Sequence, residues 1–115
     1  MNEPRGTLDA LMQVILERKA QPSAKSYTCQ LLEGGVERIG KKVTEEAAEV
    51  VEAAGEPGSD GREHTVREAA DVIYHLWVLL AARDIPLSDV EHELARRFGM
   101  SGLEEKARRK HPDGQ

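Results

Sequence analysis

Cysteine is almost missing from this chain: Cys29 stands alone among 115 residues. A single thiol excludes an intrachain disulfide and any zinc site built from several thiolates. It leaves Cys29 reading as a small buried apolar residue. Aromatic side chains are scarce too, four in all: Tyr27, Tyr74, Trp77 and Phe98. A general nucleic-acid binder would spread basic charge over a broad face and add stacking rings, so no nucleic-acid partner is expected. No apolar run reaches membrane-spanning length. The opening MNEPRGTLDALMQ has an early acid and no uninterrupted apolar core, unlike a secretory signal. A cytoplasmic protein with no membrane partner is the expectation. Strand-like alternation of useful length and internal repeats are absent as well.

What the chain does have is helical spacing throughout. Leu8, Leu11, Met12, Ile15 and Leu16 recur at one face behind Thr7, a candidate cap, and predict a first helix over residues 8–19. After QPSAKSYT a second helix starts near Ser26–Thr28, is loosened at Gly34–Gly35, and continues through Val36, Ile39, Val43, Ala47, Val50 and Ala54. GEPGSDG, residues 55–61, reads as a loop. The third helix is expected over residues 62–83, and its stretch Val72–Ala82 is apolar on nearly every side except at His75. Ser88 with Glu91 three residues on forms a capping box for a fourth helix ending at Gly99. The fold class is therefore all-α, a bundle of four main helices forming one domain over residues 1–115, with 100–115 a basic C-terminal tail. So short a chain with so apolar a third helix is expected to complete its core by dimerisation.

Charge is unevenly placed. The net charge is −5, and residues 41–71 hold nine acids against four bases, enough to account for all of it. An acidic run on a helix is usually a solvated face, and Glu45, Glu49 and Glu52 project opposite the apolar stripe of the second helix. Glu46 does not: at about 100° per residue it falls roughly 20° from Ile39 and 40° from Val50. A carboxylate leaning into an apolar seam needs a partner, a metal or a proton. The third helix repeats the pattern, since His64, Glu68, Asp71 and His75 line one stripe that runs on into Leu79 and Ala82. Two helices thus each carry an acid pair three apart, Glu46 with Glu49 and Glu68 with Asp71, and residues at that spacing are neighbours. If the helices pack antiparallel, four carboxylates converge. A divalent cation is the simplest compensation for their repulsion, and all-oxygen ligation favours Mg²⁺ or Mn²⁺. Such an ion is commonly shared with phosphates, which fits diphosphate hydrolysis. Lys42 and the cluster KARRK, residues 106–110, are the bases available to a polyphosphate; each also reads as an ordinary solvated charge. His75 either orients Asp71 or is satisfied within the core, and Tyr74 and Trp77 read as packing. A di-iron bundle would need Glu-x-x-His pairs, and no histidine here has a glutamate three residues before it.

The segments LDALMQVILERK, SYTCQLL, IGKKVTEEAAEVVEAA, EAADVIYHLWVLL and SGLEEKARR, in that order, resemble the phosphoribosyl-ATP pyrophosphatases of histidine biosynthesis, a branch of the MazG-like all-α nucleotide pyrophosphatases. The ExxE and ExxD pairs mark the superfamily, while SYT and GLEEKARR point to the branch. The resemblance implies Mg²⁺-dependent hydrolysis of phosphoribosyl-ATP to phosphoribosyl-AMP and pyrophosphate by a helical homodimer. By position it assigns Glu46, Glu49, Glu68 and Asp71 to the metal, with Glu45 orienting water or completing the metal shell. It implies substrate contacts for Lys42, Ser26, Tyr27, Thr28, Lys106, Arg108 and Arg109, although Ser26 or Thr28 equally suits a helix cap. A lone cysteine leaves no room for the zinc-binding cyclohydrolase domain fused to this activity elsewhere, so the chain resembles the monofunctional form. The alternative within the superfamily is a housecleaning nucleoside triphosphate pyrophosphatase, which would share the acid quartet.

Overall fold

The computed structural model describes residues 6–99. Four helices follow one another in this span, α1 (Thr7–Ala20), α2 (Tyr27–Ala54), α3 (Gly58–Ala82) and α4 (Leu87–Phe98), and no strand occurs among the described residues. The all-α expectation holds. Residues 6–85, with α1 to α3, form one compact unit, and α4 belongs to a second.

In α1, Met12 and Ile15 are buried, Leu11 packs beside them, and Leu8 and Leu16 are half-exposed at the margins. Thr7 is not the cap: the helix already includes it, and Gly6 occupies the cap position with no side-chain hydrogen bond. Both ends of α1 are tied to α3 instead. The Trp77 indole N–H donates to the Leu8 carbonyl at 2.9 Å. At the other end Lys19 donates to the Ala81 carbonyl at 2.7 Å and pairs with Asp84 at 2.5 Å. That cation adds a second donor to a carbonyl at the end of α3, which also accepts from the Asp84 N–H at 3.1 Å.

Ser26 caps α2, its side chain accepting from the Cys29 N–H at 3.2 Å. The loosening expected at Gly34–Gly35 is a defined break: Gly35 has φ 78° and ψ −172°, a region essentially reserved for glycine. The break redirects α2 so that Leu31 before it and Ile39 after it enter the same core as Val78, Ala81, Met12 and Ile15. Ile15, Leu31, Ile39 and Val78 are wholly buried, each contributing about 1.5–3 kcal/mol by leaving water.

The loop expected over residues 55–61 is shorter, because α3 starts at Gly58 behind Pro57. Gly and Ser favour turns locally, yet Gly61 lets the helix begin early. A Cβ there would lie 2.1 Å from the Glu56 carbonyl oxygen, so only glycine lets Glu56 fold back over the first turn. The helical hairpin is antiparallel, since its pairs run in reverse order: Glu56 with His64, Thr28 with Tyr74, Tyr27 with His75.

In the second unit, α4 begins at Leu87 behind Pro86 and not at a Ser88 capping box; Ser88 lies inside the helix, which has no side-chain cap. Proline's fixed φ, −73° at Pro86, starts the helix without one. Glu93 binds Arg96 and Arg97 along this helix, which holds its carboxyl below the usual range. The expected stop at Gly99 is found, with φ 69°.

Candidate active site

The hairpin carries the acids to one place. Glu46 from α2 and Glu68 and Asp71 from α3 each present an oxygen within 4.8 Å of the others. Glu46 and Glu68 are half-buried and Asp71 is exposed. The site is therefore a carboxylate triad with a sheltered base and an open mouth.

Two of its oxygens are anomalous. Oε1 of Glu46 and Oε1 of Glu68 are buried and have no hydrogen-bond partner. An unsatisfied buried acceptor costs about 1–3 kcal/mol, and more when charged. Two such atoms in one three-residue cluster are what a hard cation satisfies, so the donor set fits a divalent metal with oxygen ligation.

Glu49 joins the group from its edge. Its carboxyl is pushed above the ordinary carboxylate range, first by its hydrogen-bonded approach to Glu68, then by the repulsion of that carboxylate and by burial. Projection from sequence had set Glu49 opposite the apolar stripe, whereas its neighbours are Glu68 and Glu46. Three of the four predicted acids, Glu46, Glu68 and Asp71, share one cluster, with Glu49 at its edge.

His64 is the participant that the sequence underused. Its Nδ1 lies 3.0 Å from Glu56 Oε1 and its Nε2 3.5 Å from Glu68 Oε2. The Glu56 carboxylate raises the His64 pKa. His64 thus steadies one oxygen of Glu68 and leaves the other for a ligand. The four-residue spacing of His64 and Glu68 was the available signal; the Glu56 bond depends on the tight turn and had none.

The remaining predicted residues divide. Glu45 is exposed next to Glu46, and Lys42 pairs with it at 3.6 Å, the ordinary helix-surface pairing. Ser26 is the α2 cap. Thr28 is buried, with its hydroxyl on the Tyr74 hydroxyl, so it packs against α3. Tyr27 is 44% exposed, and its hydroxyl lies 3.2 Å from His75 Nε2. The break at Gly35 thus lays the SYT segment on α3 one turn beyond Asp71. Cys29 is buried as expected, its thiol donating to the Arg18 carbonyl at 3.3 Å. Lys106, Arg108 and Arg109 lie outside the described residues.

A helical hairpin that gathers carboxylates from both arms, with two buried oxygens left without a partner, defines the class: an all-α protein with an open acidic site. Residues 8–98 match the family described as Phosphoribosyl-ATP pyrophosphohydrolase. The chain is similar to the phosphoribosyl-ATP pyrophosphatase of Rhodopirellula baltica, 53% identical over 89% of this chain and 85% of that one. It is 54% identical to that of Trichlorobacter lovleyi, over 96% and 99% of the two chains. To that of Geobacter sulfurreducens it is 49% identical, over 95% and 98%. The chain belongs to the phosphoribosyl-ATP pyrophosphohydrolase family.

Proposed function

We propose that this chain hydrolyses phosphoribosyl-ATP to phosphoribosyl-AMP and pyrophosphate in histidine biosynthesis, with Mg²⁺ held by Glu46, Glu49, Glu68 and Asp71. Mn²⁺ is the other ion this donor set suits. Family membership supports the reaction, and the observation that carries the metal is the pair of partnerless buried oxygens on Glu46 and Glu68. When bound, the ion supplies charge neutralisation on the phosphates and polarises the attacking water.

The chain's own residues do the rest. Glu46 and Glu68, sheltered between the helices, set the ion's place, and His64 keeps Glu68 from turning away. Glu45, exposed beside Glu46, accepts the proton of the attacking water or completes the metal shell. Lys42, next to Glu45, meets phosphate charge, and Tyr27 with the Ser26 turn forms the substrate wall nearest the acids. Lys106, Arg108 and Arg109, which lie outside the described residues, are proposed to contact the phosphates. The water oxygen bonds to phosphorus, the anhydride between the α- and β-phosphates breaks, and pyrophosphate leaves.

The enzyme works as a cytoplasmic homodimer in this reading. Val36 and Val51 on α2 and Val66 and Leu76 on α3 remain exposed, Val51 to 74%, and a second copy would cover such surface. No helix among the described residues is long and apolar enough to cross a membrane.

The test is a substrate panel with Glu46→Gln and Asp71→Asn as controls. Phosphoribosyl-ATP should be turned over well above any nucleoside triphosphate, and each variant should lose at least about a hundredfold in rate, roughly 2.7 kcal/mol, with its helical circular dichroism unchanged. Rapid hydrolysis of canonical or modified nucleoside triphosphates with none of phosphoribosyl-ATP would make it a housecleaning enzyme instead.

A further inference from the structure

The described residues contain two buried polar side chains, Thr28 and His75, and they lie at the same crossing of α2 and α3. His75 is 5% exposed. Its Nδ1 is 3.0 Å from the backbone oxygen of Asp71, not from the Asp71 carboxylate. A carbonyl oxygen only accepts, so Nδ1 carries the hydrogen. In the neutral ring Nε2 then offers a lone pair, and the Tyr27 hydroxyl, 3.2 Å away, donates to it. The ring is also boxed in: Tyr74 meets it edge-on with centroids 5.0 Å apart, and Tyr27 with centroids 6.0 Å apart.

A leucine or phenylalanine would fill this seam without the desolvation that an imidazole incurs. What the imidazole adds is direction. It joins two points that belong to different helices: the turn of α3 that carries Asp71, and the exposed ring of Tyr27 at the start of α2. One helical turn, about 5.4 Å, separates Asp71 from His75.

We propose that His75 is a positioning residue: it fixes the Tyr27 hydroxyl, and through it the substrate-facing wall of the site, at a set distance from the Asp71 turn. His75 touches neither the ion nor the substrate, and its effect passes through Tyr27. This rests on the reading that Tyr27 meets the substrate and that Asp71 belongs to the metal site. It assigns the histidine a role that burial alone does not.

The experiment compares His75→Asn, His75→Gln and Tyr27→Phe, singly and, for His75→Asn with Tyr27→Phe, together. Asparagine keeps a donor at the Nδ1 position and loses the acceptor for Tyr27; glutamine reaches the Nε2 position and restores that acceptor. His75→Asn and Tyr27→Phe should each raise KM for phosphoribosyl-ATP about five- to tenfold, the loss of one hydrogen bond, with kcat within about twofold. The double variant should match either single one, because both remove the same bond, and His75→Gln, which restores the acceptor but loses the donor to the Asp71 carbonyl, should recover only part of the lost KM. Mg²⁺ affinity measured by calorimetry without substrate should be the same for Tyr27→Phe and wild type. Multiplying effects in the double variant, or an unchanged KM in Tyr27→Phe, would overturn the proposal. If His75→Asn does not fold, Tyr27→Phe still decides, since nitrogen NMR of His75 must then show Nε2 losing its hydrogen bond while Nδ1 stays protonated. An unmoved Nε2 signal contradicts the proposed bond. A wild-type protein that neither binds Mg²⁺ nor cleaves phosphoribosyl-ATP would sink the proposed function while that NMR comparison still reads the His75–Tyr27 link.

Discussion

Glu46 lies on the face of α2 that packs against α3, beside Glu68 and Asp71. Projected on a helix it fell at the edge of a stripe made of Val36, Ile39, Val43, Ala47, Val50 and Ala54. Only Ile39 of these is buried, Val43 and Val50 are half-buried, and Val36, Ala47 and Ala54 are exposed, while Ala53 is buried. The face that packs on α3 is therefore rotated by roughly 40° toward Glu46, which brings its carboxylate near the middle of the seam. Helical spacing could not separate the apolar residues that meet α3 from those left open. Glu49 shows the converse, since a residue on the wet side of α2 still feels Glu68. Its raised pKa means that it binds a proton more readily folded than unfolded. The metal-free protein should then gain stability as pH falls through Glu49's raised range and lose it as pH rises past that range. Mg²⁺ should reverse that slope, because ligands must be deprotonated to bind it. Thermal unfolding against pH checks both: Glu49→Gln should unfold above wild type without metal at neutral pH and gain less from added Mg²⁺. Equal melting of the two proteins across pH would show that the repulsion is absent.

Among the elements, the second helix depends on its interruption. Gly35 adopts a backbone conformation that costs other residues about 1–3 kcal/mol. A Cβ there would meet nothing within 4 Å, so the cost of Gly35→Ala is conformational and not a clash. That substitution should lower stability by about 1–3 kcal/mol in denaturant unfolding, and it should raise KM by displacing the Tyr27 end of α2. A loss of stability with unaltered KM would mean that the break serves folding alone. The Gly-Gly pair made this break legible before any coordinates, and Gly99 did the same for the end of α4. Helix starts were less legible. Thr7 and Ser88 have the right side chains for caps, but Gly6 and Pro86 hold those positions, and packing set the start of α1 while proline set that of α4. The start of α3 was hidden because the turn-forming residues 58–61 are recruited into the helix by one close approach at Gly61.

For the whole molecule, helical class and order followed from apolar spacing, and so did the meeting of the two acid pairs, which needed only an antiparallel hairpin. The SYT segment was legible as a motif but not as a neighbour of Asp71, because that proximity depends on the redirection at Gly35. Exposed Val36, Val51, Val66 and Leu76 are the whole-molecule counterpart of the apolar third helix. If the proposed homodimer forms through this surface, Val51→Glu should shift sedimentation from dimer to monomer; a wild-type protein that sediments as a monomer, or an unshifted variant, would contradict it.

Glu46, Glu68 and Asp71 are proposed to hold a hard cation between two helices. Calorimetric titration of Mg²⁺ into the wild-type protein and into Glu46→Gln, both without substrate, tests it most directly. The account predicts saturable binding to the wild type and its loss in a variant that keeps its helical content. Equal Mg²⁺ affinity in the two proteins would contradict it.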